Sequence, residues 1–481
     1  MGKNEITRKE ALKRMGFLLV SPMLYKPLAH SSFLNTSPAN GWDELPNILK
    51  NIVPPRFPDK DFPITKYGAK AGGKTDCLPA IKEAIAKCNQ AGGGRVVVPS
   101  GTWFVKGPIH MENNVNLHLS HGATIKFSTN ADDYLPVVLT RFEGMELMNY
   151  SPLVYSYGKE NIALTGTGTL DGQANNNHWW NWVGKKSFGW KEGEPAQHDK
   201  GNEPKLMEMV SEGVPVKDRV FGKGHYMRPT FVEFYRSKNI LIQGVTIRNS
   251  PFWILHPTLS QNITIDGVKT ISSGPNNDGC DPESCTDVLI KKCYFSNGDD
   301  CIAIKSGRNE DGRRIGVPCK NIIVEDCHMK DGHAGVAIGS ETSGGVEDVY
   351  AQNCVMDSPS LERAIRIKSN ACRGGVLKNF YYRNIEVGTV HEAVVKINML
   401  YGNESGKGCH FPPMLSNVNI DNVVSHKSEY AIYIQGRQDK AVSDITIKNC
   451  KFNDVKKKDF VEYAKNLQIE HTTVNGKEIT S

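Results

Sequence analysis

Short apolar runs recur along most of the chain, and each is bounded by glycine, asparagine, aspartate or serine. Three of them are Val288-Leu289-Ile290, Ile302-Ala303-Ile304 and Ile322-Ile323-Val324. Because they lack helical periodicity and end in turn residues, they predict short strands. Strands that recur in this way indicate an all-β repeat protein, in which each coil contacts only its neighbours.

An asparagine or aspartate stands directly before an apolar, strand-forming pair at ten positions. The positions are Asn116, Asn161, Asn239, Asn262, Asp287, Asn321, Asp348, Asn379, Asn417 and Asp444. These side chains bond the local backbone and tolerate the left-handed conformation of a tight corner. From Asn239 onward the intervals range from 23 residues to 38. The pattern predicts a single-stranded, right-handed parallel β-helix. A leucine-rich or propeller array is the alternative, although the leucine ladder and the Trp-Asp blade motif of those folds are missing.

One amphipathic helix is predicted ahead of the repeat, over residues 76–90. Its apolar face is formed by Ile81, Ala84, Ile85 and Cys88, and Asp76 is a suitable N-cap. We expect this helix to cap the first coil, whose apolar end would otherwise face solvent. The β-helix domain is then predicted over residues 63–481.

Residues 174–227 interrupt the strand pattern. They contain His178-Trp179-Trp180-Asn181-Trp182 and a run rich in glycine, proline and charged residues. Insertions in a solenoid form loops on one face, often the binding face. Two interpretations stay open: the tryptophans line a sugar-binding loop, or they pack the insertion onto the β-helix.

The first 33 residues differ from the rest of the chain. Basic pairs at Arg8-Lys9 and Lys13-Arg14 precede a short apolar segment at residues 15–20, a pattern typical of an export signal. An amphipathic N-terminal helix is the alternative. With an export signal, the protein would be periplasmic or extracellular, and residues 34–62, rich in proline and asparagine, would form a linker.

Composition excludes several classes of function. The 481-residue chain has a formal charge of +6, but its basic residues are spread along it, which disfavours nucleic-acid binding. No apolar run approaches the roughly 20 residues that a bilayer-crossing helix needs, so no integral membrane segment is expected. The 12 cysteines lack both the spacing of a small disulfide-linked domain and a paired CxxC metal motif, and several fit small buried positions of the repeat. We expect a monomer without metal or cofactor.

Acidic and basic side chains concentrate at the ends of neighbouring predicted strands. Asp278 precedes the pair Asp299-Asp300 by about one coil, so stacking at about 4.8 Å per coil would bring the three carboxyl groups together. The next two coils add His333, Arg366 and Lys368. Carboxyl groups paired in this way cleave glycosidic bonds, one as the acid and another as the base or nucleophile.

Arg366 and Lys368 indicate the substrate class. The two-residue period of a strand puts both cations on one face and turns Ile367 to the core. Two outward cations would bind the carboxylate of a uronic acid, which a neutral sugar lacks. Carboxyl groups as crowded as the three aspartates cannot all ionise easily, so one should keep its proton near neutral pH and act as the acid.

Four motifs follow the order and spacing of glycoside hydrolase family 28, the polygalacturonase family, which the chain resembles from about Pro63 to its C-terminus. They are Asn276-Asn277-Asp278, Asp299-Asp300, Gly332-His333-Ala334 and Arg366-Ile367-Lys368. Asn277 and Ala334 depart from the family's Asn-Thr-Asp and Gly-His-Gly. The resemblance implies a β-helix of the pectin-lyase-like type and hydrolysis of pectic polysaccharide or oligogalacturonide.

The resemblance also implies catalytic roles in an inverting single displacement. Asp299 would be the general acid, and Asp278 and Asp300 would hold and deprotonate the attacking water. His333 would support the protonation of Asp299. An inverting site should leave about 6.5 to 9.5 Å between Asp299 and the other two carboxyl groups.

Substrate contacts follow from the same resemblance. Arg366 and Lys368 would bind the galacturonate carboxylate, with further contacts from Asn276, Tyr401 and His256. The insertion and the loop at residues 401–413 are long enough to close one end of the site, and the segment 250–257 would complete that wall. These features predict exo cleavage of the α-1,4 bonds of homogalacturonan.

Other functions stay open on the sequence alone. One is an α-galacturonidase or a hydrolase acting on rhamnogalacturonan. A pectate-lyase-type enzyme would need a calcium site and a basic catalyst. A non-catalytic carbohydrate-binding β-helix would have no reason to align all four motifs.

Overall fold

The computed structural model, which describes residues 41–403 and 408–480, shows the predicted parallel β-helix. The export signal predicted over residues 1–33 lies outside the described residues. Strand pairing is parallel throughout, except between Val138–Phe142 and Met145–Asn149 and between Thr472–Val474 and Lys477–Ile479.

Most strands belong to one 24-stranded sheet. They are Asp61–Pro63, Gly94–Val98, Gly101–Val105, Val115–Leu119, Ala123–Phe127, Glu160–Gly166, Thr169–Asp171, Lys238–Gln243, Thr246–Arg248, Gln261–Asp266, Lys269–Ser272, Thr286–Lys291, Tyr294–Asn297, Cys319–Glu325, His328–Asp331, Val346–Gln352, Val355–Met356, Val376–Thr389, Met414–Lys427, Val442–Lys448, Lys451–Phe452, Ala464–Glu470, Thr472–Val474 and Lys477–Ile479. Apart from Lys477–Ile479, which forms a hairpin with Thr472–Val474, these strands pair with strands on neighbouring coils, as a solenoid requires.

The remaining strands form three smaller sheets. One contains Val138–Phe142, Met145–Asn149 and Val220–Phe221, and another contains Ile109–His110, Val154–Tyr157 and Val232–Tyr235. The six-stranded sheet contains Ile302–Ile304, Val336–Ile338, Arg363–Lys368, Ala393–Asn398, Tyr430–Gln435 and Phe460–Glu462. Single bridges from Val232 to Leu255, from Leu255 to Cys280 and from Cys280 to Ile302 join the last two sheets into one face, which carries the predicted site residues.

Asparagine and aspartate occupy the corners of the coils, as predicted. Nine of the ten positions have φ between 53° and 64°, the exception being Asn116, which lies in a strand while Asn114 forms that corner. Corner amides on successive coils are linked: Asn239 Nδ2 donates to Asn161 Oδ1 at 2.9 Å, and Asn262 Nδ2 donates to Asn239 Oδ1 at 2.8 Å. The side chains therefore stabilise both the left-handed corner and the stacking of coils.

The interior of the solenoid is filled by aliphatic side chains and by cysteines. Cys293, Cys327, Cys354 and Cys450 are buried, which confirms the interpretation of these residues as small core side chains. The bond between Cys372 and Cys409 is a disulfide that the cysteine spacing did not predict.

Four α-helices accompany the coils in the described part of the chain: Leu45–Asn51, Leu78–Gln90, Glu203–Ser211 and Asn309–Ile315. The capping helix begins two residues later than predicted, and Asp76 Oδ1 accepts the N–H of Leu78 at 2.9 Å. The helix Leu45–Asn51 lies where a linker was expected, because Leu45 and Ile48 pack against Tyr350 and other apolar side chains outside the coils. None of the helices in residues 41–403 and 408–480 has the length and apolar character needed to cross a bilayer.

Candidate active site

Asp278 and Asp300 lie in register on neighbouring coils. Cys280 and Ile302 form a parallel β-bridge; Asp278 lies two residues before Cys280, and Asp300 lies two residues before Ile302. The N–H of Gly279 also donates to the carbonyl oxygen of Asp300, at 2.9 Å. As a result, one carboxyl oxygen from each of Asp278, Asp299 and Asp300 lies within 4.8 Å of one from each of the others. The predicted acid cluster is therefore assembled by stacking.

The nearest oxygens of these carboxyl groups lie within 4.8 Å of one another, whereas the expected gap of about 6.5 to 9.5 Å is a distance between whole carboxyl groups. Asp299 directly precedes Asp300, and Asp278 is one coil away, so the strand repeat of about 4.8 Å limits their separation. Inversion thus rests on the family resemblance and not on the distance between carboxyl groups.

Asp300 is fully buried and held by two cations. Arg366 Nη1 donates to Oδ1 at 3.1 Å, and Lys368 Nζ donates to Oδ2 at 2.7 Å. Burial raises the pKa of Asp300, but Lys368 and Arg366 outweigh that effect and hold the pKa well below its usual range. The two cations therefore favour the ionised form of Asp300.

Asp299 is paired with His333. His333 Nδ1 lies 2.8 Å from Asp299 Oδ1, and this hydrogen bond raises the pKa of the imidazole to about 9. Burial raises the pKa of Asp299, yet the contact with His333 leaves it lowered. The pair therefore holds one proton between an imidazole nitrogen and a carboxyl oxygen up to about pH 9.

The surroundings of Asp278 favour its protonated form. Burial, followed by repulsion from Asp281 and Asp299, raises its pKa well above the usual value. The prediction that one aspartate of the cluster stays protonated therefore agrees with the electrostatics. The residue differs, because Asp299 shares its charge with His333 whereas Asp278 faces other carboxyl groups.

Asn276 and Asn277 shape the turn that carries Asp278. Asn277 is buried, and its side chain accepts the N–H of Gly274 at 3.0 Å and donates to the carbonyl oxygen of Phe252 at 3.1 Å. Asn276 has φ 54° and accepts a hydrogen bond from Arg228 Nη2 at 2.7 Å. Asn277 thus fixes the backbone, and partly exposed Asn276 stays a predicted substrate contact.

Tyr401 lies over the cation pair. Its ring centroid is 5.4 Å from Arg366 Cζ and 5.2 Å from Lys368 Nζ. Backbone contacts hold it there: the N–H of Tyr401 donates to Ser369 O at 3.0 Å, and Asn370 Nδ2 donates to Tyr401 O at 2.9 Å. The structure therefore brings Tyr401 to the predicted site.

His256 is not available to a substrate, so its assignment as a substrate contact is corrected. Its side chain is fully buried, and Nε2 lies 2.7 Å from Glu283 Oε2. Arg141 Nη1 contacts the same Glu283 at 2.8 Å. The sequence could not distinguish a histidine at the outer face of the coil from one buried in an ionic network.

The insertion contacts the turn that carries Asp278. Trp179 is buried against Tyr134 and Trp182, which favours packing for this residue. Trp180 Nε1 donates to Ser250 O at 2.8 Å, and a Cβ added at Gly274 would lie 2.3 Å from its indole. Segment 250–257 itself is almost entirely buried and supplies support, not a wall.

Two basic residues of the site lie outside the predicted set. Arg228 is buried and donates to Asn276 and to Pro275 O, at 2.7 and 2.8 Å. Lys305 is buried between the side chains of Asp278, Asp281 and Glu341. Side chains alternate between the two faces of a strand, so Lys305 lies on the same outward face as Ala303, two residues earlier. The same rule that aligned Arg366 with Lys368 could therefore have identified Lys305 from the sequence.

Comparison with known proteins gives concordant matches. The family described as "Glycosyl hydrolases family 28" matches residues 216–473, and the one described as "Rhamnogalacturonase A/epimerase, pectate lyase-like" matches residues 62–182. A probable polygalacturonase of Vitis vinifera is 28% identical over 80% of this chain and 73% of its own. An exo-poly-alpha-D-galacturonosidase of Dickeya chrysanthemi is 26% identical over 82% of this chain and 67% of its own.

Solved structures agree. A hyperthermoactive exopolygalacturonase from Thermotoga maritima is 46% identical with a TM-score of 0.88, covering 91% of this chain and 97% of its own. A polygalacturonase from Erwinia carotovora ssp. carotovora shares the fold at 20% identity and a TM-score of 0.60, covering 88% of this chain and 98% of its own. The first family match spans more than half of the 481 residues. The chain therefore belongs to glycosyl hydrolase family 28 and is a polygalacturonase-type glycosyl hydrolase of galacturonan.

Proposed function

We propose that this protein is an exo-acting polygalacturonase that hydrolyses the α-1,4 bonds of homogalacturonan with inversion. The observation that carries the chemistry is the contrast between two adjacent aspartates. Asp299 shares a proton with His333, whereas Asp300 is held ionised by Arg366 and Lys368. A proton donor and a proton acceptor side by side are what hydrolysis of a glycosidic bond requires.

In the proposed reaction, the proton of the Asp299–His333 pair passes from Asp299 to the leaving glycosidic oxygen as the bond from the anomeric carbon to that oxygen breaks. Water attacks the anomeric carbon from the opposite side and gives its proton to Asp300. Asp278, within 4.8 Å of both other carboxyl groups, orients the water. General acid catalysis of this kind contributes about 10² to 10⁴ in rate.

Arg366, Lys368 and Tyr401 form the proposed subsite for a galacturonate carboxylate. The Tyr401 ring lies over both cations and gives an apolar surface beside them. Arg366 has further donors besides the Nη1 that contacts Asp300, so it can bind a substrate carboxylate while keeping Asp300 ionised. This arrangement supports a uronate over a neutral sugar.

Exo action is supported by the insertion and by two relatives. Residues 174–227 lie against Gly274, ahead of Asp278, through the Trp180 indole, and against Arg308 through Glu203, so they can close one end of the site. The Thermotoga maritima and Dickeya chrysanthemi relatives are named as exo enzymes. A Pectobacterium carotovorum relative at 26% identity is named an endo-polygalacturonase, so the packed insertion carries this part of the proposal.

Viscometry beside reducing-end release on de-esterified polygalacturonate tests the mode of attack. An exo enzyme releases reducing ends long before the viscosity falls. An early collapse of viscosity at low bond cleavage would show internal cutting and would refute exo action.

A hydrolase acting on rhamnogalacturonan is the second candidate, since residues 62–182 match the rhamnogalacturonase and pectate lyase-like family. Product release from pure homogalacturonan and from a rhamnogalacturonan backbone separates the two substrates.

We also propose export to the periplasm or medium, on the basic pairs before the apolar segment at residues 15–20. Cell fractionation tests this, and retention of activity in the cytoplasm would contradict it.

A further inference from the structure

Lys305 lies behind the acid cluster and contacts three carboxyl groups. Its Nζ is 3.2 Å from Glu341 Oε2, 3.4 Å from Asp281 Oδ1 and 3.5 Å from Asp278 Oδ2. The Nζ also lies 4.5 Å from the ring centroid of Trp253. The side chain is about 3% exposed, so the contacts with Lys305 act in a poorly solvated space where charges interact strongly.

Asp281 makes this arrangement unusual. It is fully buried, and the cation beside it is Lys305, whose Nζ lies 3.4 Å from Oδ1. An ionised carboxylate buried in this way is costly unless a cation or a shared proton compensates it. Burial raises the pKa of Asp281 to about 8, against the attraction of Lys305 and the contact with Asp278.

Charge balance around Lys305 follows from the groups that face it. Glu341, on the following coil, is ionised, because Lys305 and Arg373 outweigh its burial and lower its pKa. Asp300 is ionised by Arg366 and Lys368. Burial raises the pKa of Asp278 and of Asp281, and the positive charge of Lys305 acts against this effect at both residues. The ionised form of either carboxyl group therefore depends on Lys305.

We propose that Lys305 is a positioning residue for hydrolysis, which holds the Asp278 carboxyl toward Asp299 and Asp300 and favours the ionised form of Asp278 that accepts a hydrogen bond from, and so orients, the attacking water. Asp281 acts on Asp278 in the direction opposite to Lys305, since its negative charge favours the protonated form of Asp278. The inference rests on the proposed hydrolytic function. Lys305 does not reach the substrate, so its effect passes through Asp278.

The two residues predict shifts of opposite sign. Removing the cation in Lys305→Met raises the pKa of Asp278, so the acid limb of kcat/KM moves to higher pH, by about one unit, and kcat falls about tenfold at a pH on that limb. Removing the neighbouring carboxylate in Asp281→Asn lowers the pKa of Asp278 and moves the acid limb to lower pH. Lys305→Arg, which keeps the charge, restores most of the wild-type profile.

The experiment measures kcat and KM for polygalacturonate from pH 4 to 9 in the full chain and these variants. Lys320→Met is the control, because half-exposed Lys320 pairs with Asp348, at 3.5 Å, in the 24-stranded sheet and not in the face that carries the site residues. KM should change less than about threefold, since the substrate contacts lie on other residues. Thermal unfolding of each variant identifies loss of folding.

Three results would overturn the inference. An acid limb of Lys305→Met at the wild-type position would show a structural role only. If Lys305→Met does not fold, Asp281→Asn decides, and a shift to higher pH, or none, refutes the proposal. A wild-type protein that releases no reducing ends from polygalacturonate would instead refute the proposed function itself, whatever the variants do.

Discussion

Asp299→Asn should abolish the proton donor with little change in geometry. Asparagine has nearly the same size as aspartate, and its Oδ1 can still accept the hydrogen bonds that now come from His333 Nδ1 at 2.8 Å and from the N–H of Asp300 at 3.0 Å. The variant therefore removes the transferable proton and keeps the hydrogen-bonded frame. Folding should be preserved for the same reason.

The expected loss follows from the chemistry of the step. General acid catalysis contributes about 10² to 10⁴, which corresponds to about 2.7 to 5.4 kcal/mol of transition-state stabilisation. KM should stay within about threefold, because Arg366 and Lys368, not Asp299, form the proposed carboxylate subsite. The imidazole also loses its carboxylate partner, so the pKa of His333 should fall from about 9 toward its ordinary value.

Initial rates of reducing-end release from polygalacturonate give kcat and KM, and NMR titration of the imidazole gives the pKa of His333. The control is Asp287→Asn, a corner aspartate with φ 60° that accepts from Asn321 Nδ2 at 2.8 Å, for which wild-type turnover is expected. A kcat of Asp299→Asn within threefold of wild type would refute the role of Asp299. A pKa of His333 that stays near 9 would refute the proton-sharing pair.

Three further outcomes are expected. Lys368→Met removes the 2.7 Å contact with Asp300 and one cation of the proposed carboxylate subsite. KM should rise and kcat should fall, because the substrate carboxylate and the Asp300 carboxylate each lose a cationic partner. An unchanged KM would contradict this assignment. His256→Ala leaves buried Glu283 without one of its partners, so the free energy of unfolding, measured by urea denaturation, should fall by about 3 to 5 kcal/mol. The KM of the folded variant should be unchanged, and a raised KM would restore a substrate role for His256. EDTA should leave turnover unchanged, because Arg366, Lys368 and Lys305 already place positive charge beside Asp300 and Asp278. A loss of activity that calcium restores would indicate a lyase.

The sequence predicted the coils and the motif residues because both depend on local rules. The two-residue period of a strand puts Arg366 and Lys368 on the same face. Left-handed corners favour asparagine, and the recurrence of asparagine at such corners predicts coils that stack. The capping helix was predicted to within two residues for the same reason.

The features that were missed depend on contacts between distant segments. His256 meets Glu283 inside the wall of the solenoid, and Leu45–Asn51 packs on tyrosines about 300 residues further along the chain, at 350 and 381. The raised pKa values of Asp278 and His333 are set by burial and neighbouring charge, which motif spacing does not contain.

The anomeric form of the first product tests the account most directly. Proton NMR during the first turnovers on α-linked oligogalacturonate should show the saturated β-anomer before mutarotation, as a single displacement by water assisted by Asp300 requires. The α-anomer appearing first would indicate a covalent intermediate, and an unsaturated product would indicate elimination. Either result would contradict the assignment of Asp299 as acid and Asp300 as the acceptor for water.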